Sequence, residues 1–188
     1  VRAIRNRHGI PPAPDRQKTG DWARFIQATW PGLAAMDFTT VETLDPATNE
    51  LTTLYVLFAM RLATREVRLV GITEHPTEAW MLQQARNLTD DFDGFFRDVT
   101  HCTIDNDKIF SKAFTAALKD RGVRCVRTCI RTPNMNAHIE RFMRTFKSEA
   151  MRWVVPRGEW HLRATIREFL AYFHGERNHQ GLGSKMIN

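Results

Sequence analysis

Three acidic residues in this sequence have the type and the setting of metal ligands. Asp37 lies within the apolar segment AAMDFTT, Asp105 ends the segment CTID, and Glu140 lies on the polar side of the amphipathic segment AHIERFMRTF. Burying a carboxylate in a strand is costly unless a cation or hydrogen bonds compensate it, and two neighbouring carboxylates repel each other. Oxygen ligands suit Mg²⁺ or Mn²⁺, and a pair of such ions promotes phosphoryl transfer. Asp37 is the candidate that bridges both ions, with Asp105 and Glu140 each holding one.

Each of these acids also has an ordinary explanation when it is taken alone. An Asp at a strand end is most often a turn cap, and a Glu on a helix is most often solvated. Glu149, farther along the same predicted helix, is a rival for the third ligand, and Asp107 is a further acid close to Asp105. The metal-site hypothesis therefore depends on elements that bring distant segments together.

The order of predicted strands and helices along the chain can bring the segments that carry the three acids together. β-Branched and aromatic residues predict three strands joined by short turns, which favours an antiparallel meander. Alternating helices and strands follow, and the chain ends in two helices. The predicted strands are 33–44, 51–62, 65–75, 100–105 and 123–128. The predicted helices are one that begins at Thr77, one over 110–122, one capped by Asn134 or Asn136 that carries Glu140, and one from Trp160 to His174.

The element order β-β-β-α-β-α-β-α predicts the fold class. An antiparallel meander followed by crossover units makes an α/β protein, with a mixed five-stranded sheet and helices on both faces. This is the order of a ribonuclease H-like fold. The first and fourth strands are then neighbours at the centre of the sheet, so that Asp37 and Asp105 meet there. The helix that follows turns its polar face, with Glu140, toward both aspartates.

Positive charge is concentrated in the C-terminal part of the chain. The net charge is +6, with 13 basic and 15 acidic residues in 1–118 but 14 basic and 6 acidic residues in 119–188. Such asymmetry suggests a polyanion partner, most often nucleic acid, although a solvated basic surface explains the charge equally well. Arg144 and Lys147 follow Glu140 by four and seven residues, and with Arg141 they are the candidate DNA-binding residues. The alternative for Arg144 is an ion pair with Glu140, worth a few tenths of a kcal/mol.

Composition is that of a globular protein with no membrane partner. Apolar residues make up 43% of the chain, and no apolar run reaches the roughly 20 residues that a membrane helix needs. Cys102, Cys125 and Cys129 are an odd number without a CxxC pair, which predicts reduced thiols packed in strands. We therefore expect a cytoplasmic protein.

Four segments of the chain resemble the integrase catalytic core of bacterial insertion-sequence transposases, which share the Asp-Asp-Glu core of retroviral integrases. The segments are DFTTVE at Asp37, IDND at Asp105, TPNMNAHIERFMRTFKSE around Glu140, and LAYFHGERNHQGLG near the C-terminus. The resemblance covers roughly residues 30–185. It implies a ribonuclease H-like fold in which Asp37, Asp105 and Glu140, rather than Glu149, hold two Mg²⁺ (or Mn²⁺) ions.

The resemblance also implies an activity, partners and a division of the chain. The activity is cleavage at a transposon end, followed by attack of the freed 3′-hydroxyl on target DNA. The partners are transposon ends, target DNA and further copies of the chain, because transposition joins two ends. Residues 1–30 are expected to be a linker or arm from a missing upstream DNA-binding region. Residues 31–188 are expected to be the integrase catalytic core with its C-terminal helix and tail.

Asp107 departs from the family pattern, in which Gly usually stands two residues after the second Asp. Gly permits backbone angles that Asp adopts less readily, and an added carboxylate changes the local field. Asp107 either supports the metal ligands or impairs them. A second hypothesis is therefore a catalytically impaired, DNA-binding transposase relic, and a third is a nuclease of the same fold that acts on RNA–DNA hybrids or junctions.

Overall fold

All five strands and four helices that the sequence predicts occur in residues 28–127, 136–177 and 187, which the computed structural model describes. The strands are β1 (Leu33–Leu44), β2 (Leu51–Arg61), β3 (Val67–Thr73), β4 (His101–Ile104) and β5 (Arg124–Arg127). The helices are α1 (Glu78–Leu88), α2 (Lys112–Asp120), α3 (Ala137–Phe146) and α4 (Gly158–Gly175). A 3₁₀ turn, Trp30–Gly32, precedes β1, and a π-helical turn, Lys147–Met151, follows α3.

Some sequence-based expectations fall on residues that the structure does not describe. They include most of the arm over 1–30, Cys129, Asn134, and the part of the C-terminal motif that contains His179.

The sheet has the strand order β3-β2-β1-β4-β5, which puts β1 at its centre. β1, β2 and β3 are antiparallel neighbours, whereas β4 runs parallel to β1 and β5 parallel to β4. A meander can use short turns, but each parallel pair needs a crossover, which the α1 and α2 segments supply. The predicted mixed five-stranded sheet is confirmed.

Helices cover both faces of this sheet, and each face has its own apolar cluster. On one face α1 and α2 pack through Met81, Leu88, Phe114 and Leu118. On the other face α3 and α4 pack through their apolar stripes, which consist of Ile139, Phe142, Met143 and Phe146 and of Leu162, Ile166, Phe169 and Phe173. The α3 stripe is that predicted from its helical spacing.

Hydroxyl side chains cap two of the helices, at the predicted Thr77 and at Ser111. The Thr77 hydroxyl accepts a hydrogen bond from the Trp80 amide (3.3 Å), and the Ser111 hydroxyl accepts one from Phe114 (3.2 Å). Gly122 follows α2 with φ of 87°, where the lack of a Cβ removes the strain of the left-handed region. At α3 the predicted cap is wrong in part, because Asn136 lies at the N-cap position but its side chain makes no capping bond.

Two further expectations concern the thiols and membrane spans. Cys102 on β4 lies opposite Cys125 on β5, and both are free thiols within strands, as predicted for these two residues. Within residues 28–127 and 136–177, no helix combines the length and the apolar character that would let it cross a membrane.

Candidate active site

Asp37 lies on the central strand and faces the layer of α3 and α4. Residues alternate between the two faces of a strand, and Ala35 and Val41 of β1 belong to the cluster that α3 covers. Asp37 is an even number of residues from both Ala35 and Val41, so that its carboxylate is directed to the same face of the sheet, where it is half-buried. Its Oδ1 accepts a hydrogen bond from the Phe38 amide at 2.8 Å. This is the only acid within β1 that lies among buried core positions, and Glu42 farther along the strand is exposed.

The strand register brings Asp105 to the level of Asp37. β1 and β4 pair from Leu33 with His101 to Ala35 with Thr103, a constant offset in a parallel ladder. The same offset puts Asp105 opposite Asp37, two residues beyond the last pair. Asp105 shares the face of Thr103, because Cys102 and Ile104 pack on the opposite face. The two aspartates therefore meet at the carboxyl end of β4, on the α3 side of the sheet.

Glu140 reaches the same region from α3. It lies in the first turn of the helix, next to the buried Ile139, and its own side chain is exposed. His138 lies on the opposite side of α3, as the two-residue spacing predicts, and its ring contacts that of Trp30 edge-on at 6.0 Å between centroids. Glu140 is therefore the acid of α3 that can face the aspartates.

The electrostatics of Asp37 show that these acids share one field. Burial, and then the charges of Asp105, Glu140 and Asp107, raise the pKa of Asp37 from 3.8 to about 6, against the lowering effect of the Phe38 amide. Among the residues that the structure describes, no Lys, Arg or His forms an ion pair with Asp37, Asp105 or Glu140. Carboxylates that repel one another without a compensating cation have a strong reason to bind one.

The donor set suits a hard divalent cation, although the carboxylates do not converge on one point. Within the described ranges, no group of three or more His, Cys, Asp and Glu side chains is arranged as a formed metal site. Asp105 is half-buried and Glu140 is exposed, so that both side chains have room to rotate toward Asp37. Carboxylate oxygens are the ligands that Mg²⁺ and Mn²⁺ prefer. The role of these residues as metal ligands stays a prediction.

Glu149, the rival third acid, has another partner. Its carboxylate forms an ion pair with Arg177, and its charge is not among those that act on Asp37. The structure gives Arg177 this contact, across 28 residues of chain. The geometry thus favours Glu140 over Glu149.

Asp107 lies beside the site in a relaxed turn. Its amide donates to Asp105 Oδ1 and its own Oδ1 accepts from the Ile109 amide, both at 3.0 Å. Among the described non-glycine residues only Asn49 and Arg65 have positive φ. The concern that Asp strains a turn suited to Gly is therefore wrong, whereas the expected change in the local field is present, because Asp107 helps to raise the pKa of Asp37.

Basic residues extend from Glu140 along α3 into a groove. Arg141, Arg144 and Lys147 are all exposed. Arg144 and Lys147 line a groove of about 790 Å³ between the C-terminal end of α3 and the β1–β2 hairpin, and Arg152 lines it as well. Nothing in the sequence distinguishes Arg152, because its place in the groove depends on the π-helical turn. Three cations against the single carboxylate of Glu42 give the groove a net positive charge, which suits a phosphate backbone.

Comparisons with known proteins agree with this fold. A family model described as "Integrase core domain" matches residues 121–186, a segment that includes α3 with Glu140. No curated protein sequence matches the chain at a significant level.

Two solved structures share the fold. The catalytic core domain of BIV integrase is 17% identical with a TM-score of 0.57, over 80% of this chain and 88% of that chain. A simian T-cell lymphotropic virus intasome in complex with PP2A regulatory subunit B56 gamma is 13% identical with a TM-score of 0.57, over 78% of this chain and 49% of that chain. The chain thus spans about half the length of the matched intasome chain.

The sheet topology and the likeness to these two structures show the ribonuclease H-like fold that the sequence predicts. Within this fold, residues 121–186 match the integrase core family model, and the predicted resemblance to integrase cores is confirmed.

Proposed function

We propose that the chain is the catalytic core of a DNA transposase or integrase of the insertion-sequence type. It cleaves DNA at the end of a mobile element and joins the freed 3′-hydroxyl to target DNA, with two Mg²⁺ or Mn²⁺ ions. The observation that carries this proposal is the half-buried Asp37 on the central strand, whose pKa rises through burial and through Asp105 and Glu140. The integrase family match over the segment that contains Glu140 supports the same assignment.

The residues divide the work in a way that follows from their positions. Asp37, Asp105 and Glu140 would hold the ions, with Asp37 between the other two. Bound there, the ions would activate the attacking water or hydroxyl and stabilise the leaving oxygen. Arg144 and Lys147 would hold phosphates on either side of the scissile bond, which fixes the strand relative to the carboxylates. No covalent intermediate with a side chain is needed, because an oxygen nucleophile attacks phosphorus directly.

Metal binding is the direct test of the carboxylate site. Titration calorimetry with MnCl₂ should show binding to the parent chain and its loss in Asp37→Asn, because the central ligand is removed while the volume is kept. Asp120→Asn is the matched control, since Asp120 is exposed on α2, across the sheet from α3. Melting curves establish that all three chains fold. Equal Mn²⁺ binding by Asp37→Asn and the parent would rule out Asp37 as a ligand.

DNA binding by Arg144 and Lys147 has a salt signature. Arg144→Gln and Lys147→Gln should each weaken binding to a DNA duplex of arbitrary sequence. Each should also lower the slope of log affinity against log salt by about 0.9, because one phosphate contact is lost. Fluorescence anisotropy over a KCl series measures both quantities. If Arg144 and Lys147 are only solvated surface charges, the substitutions leave the slope unchanged.

Asp107 favours a second candidate function, that of an impaired relic which binds DNA without cleaving it. The fourth carboxylate adds to the repulsion at Asp37, as the raised pKa of Asp37 shows. For an active core, we expect Asp107→Gly to lower Mn²⁺ affinity modestly, because it removes a negative charge that attracts the ions. A gain of tenfold or more in DNA cleavage by Asp107→Gly, measured by plasmid nicking, would favour the relic instead (a difference of about 1.4 kcal/mol in barrier height).

A further inference from the structure

A group of cationic and aromatic side chains lies on the flank of α3 away from Glu140. Arg65 lies in the turn between β2 and β3, and its guanidinium carbon is 5.4 Å from the centroid of the Trp30 ring. The same ring contacts His138 of α3. His138 and Glu140 are two residues apart and therefore lie on opposite sides of the helix. Arg141 lies between them around the helix circumference, and its side chain is exposed. None of these contacts is used by the carboxylate site.

Arg65 has a guanidinium nitrogen that finds no partner in the described part of the chain. This nitrogen, Nη1, is buried and donates no hydrogen bond to those residues. Arg141 follows His138 by three residues and therefore lies on the same side of α3, and His138 contacts the Trp30 ring against which Arg65 lies. Burial, and then the charge of Arg141, lower the pKa of the Arg65 guanidinium. Within residues 28–127, 136–177 and 187, no acidic side chain forms an ion pair with either of them. Two neighbouring cations without a carboxylate partner, of which Arg65 is half-exposed and Arg141 exposed, suit an anion.

The backbone at Arg65 is strained in a way that a role for its side chain explains. Its φ is 64°, in the left-handed region where Gly and Asn are the usual residues. An Arg at this position makes the turn less stable than an Asn would, because Asn adopts the left-handed backbone more readily. Strain of this kind is tolerated where a side chain is needed in one place.

We propose that Arg65, stacked on Trp30, and Arg141 form a clamp for a single backbone phosphate of DNA, on the flank of α3 away from the carboxylates. The clamp rests on the proposed function for the identity of its ligand. Guanidinium groups bind phosphate through paired, charge-assisted hydrogen bonds, and stacking on an aromatic ring fixes the plane of the guanidinium. Arg141 and Lys147 are six residues apart, which is about 9 Å along the axis of α3, so that a duplex lying along the exposed side of α3 reaches the clamp and the Arg144–Lys147 groove together. The clamp therefore holds a phosphate that does not react and sets the direction of the DNA relative to α3.

Arg65→Asn tests the clamp without disturbing the turn, because Asn suits the left-handed backbone. We expect an unchanged or higher melting temperature, an affinity for a labelled duplex about threefold or more lower near physiological salt, and a salt slope smaller by about 0.9. Arg141→Gln should behave alike. The double variant should lose little more than either single variant, since both side chains hold one phosphate. Arg167→Gln is the control, because Arg167 is exposed on α4 and pairs with the adjacent Glu168.

The outcomes separate the clamp from the proposed function. Parental affinity and slope in Arg65→Asn would overturn the clamp alone, as would additive losses in the double variant. A lower melting temperature in Arg65→Asn with unchanged DNA affinity would assign Arg65 a structural role and also overturn it. Failure of the parent chain to bind duplex DNA would overturn the DNA partner of the proposed function itself. Displacement of bound DNA by inorganic phosphate at a concentration where sulfate has no effect would identify a small-anion site instead.

Discussion

Asp37→Asn is expected to lose Mn²⁺-dependent DNA cleavage by about 1,000-fold or more while it keeps its fold. A ligand between two metal ions contributes to the charge stabilisation that metals give the transition state, which amounts to several kcal/mol, and each 1.4 kcal/mol is a factor of ten in rate. Asn retains the oxygen that accepts the Phe38 amide hydrogen bond but loses the negative charge. Nicking of supercoiled plasmid measures the rate without knowledge of the natural DNA ends.

The matched pair for this experiment lies at α3 and the turn that follows it. Glu140→Gln should lose activity as Asp37→Asn does, whereas Glu149→Gln should stay within a few-fold of the parent, because Glu149 pairs with Arg177 outside the carboxylate group. Asp105→Asn should behave like Glu140→Gln. If Glu149→Gln is inactive and Glu140→Gln is active, the third ligand has been assigned to the wrong acid. Parental activity in Asp37→Asn would remove the central ligand from the site.

The sequence predicts the sheet and the two aspartates because both depend on local pattern. The segment 33–44 has the β-branched and apolar residues of a central strand, and its predicted bounds are those observed for β1. An acid inside such a segment stands out, and the parallel register that puts Asp105 beside Asp37 follows from the element order. Glu140 required the family resemblance, because helical periodicity alone does not separate it from Glu149.

Other features of the site depend on contacts that no local pattern contains. The segment KSEAM reads as a continuation of α3, yet it forms a π-helical turn, with Ala150 and Met151 packed against the core. This turn accompanies the placement of Arg152 in the groove and the pairing of Glu149 with Arg177. The sequence likewise does not distinguish Arg65, because a cation in a turn is usually solvated. Its left-handed backbone and its stacking on Trp30 appear only in the folded chain.

Removing the Asp37 charge should stabilise the metal-free protein at neutral and alkaline pH. The pKa of Asp37 is about 6 in the folded state against 3.8 ordinarily, so that between about pH 4 and 6 the folded state binds more protons than the unfolded state. Stability of the parent therefore falls as the pH rises through this range, and the loss persists above it. Two pKa units correspond to at most about 3 kcal/mol, and partial exposure reduces this to roughly 2 kcal/mol. Asp37→Asn, which cannot ionise, escapes this loss.

The difference in unfolding free energy between Asp37→Asn and the parent isolates this one group from the other acids that titrate over the same range. Urea unfolding without divalent ions should give a difference near zero at pH 4, rising to roughly 2 kcal/mol in favour of Asp37→Asn at pH 8. Added Mg²⁺ should reverse the order at pH 8, because a ligand that binds only the folded parent stabilises it. A difference that does not change with pH would mean that the Asp37 carboxylate is not held against its repelling neighbours. If Asp37→Asn is more stable than the parent without divalent ions but loses DNA cleavage in their presence, the Asp37 charge destabilises the metal-free fold and is needed for cation binding.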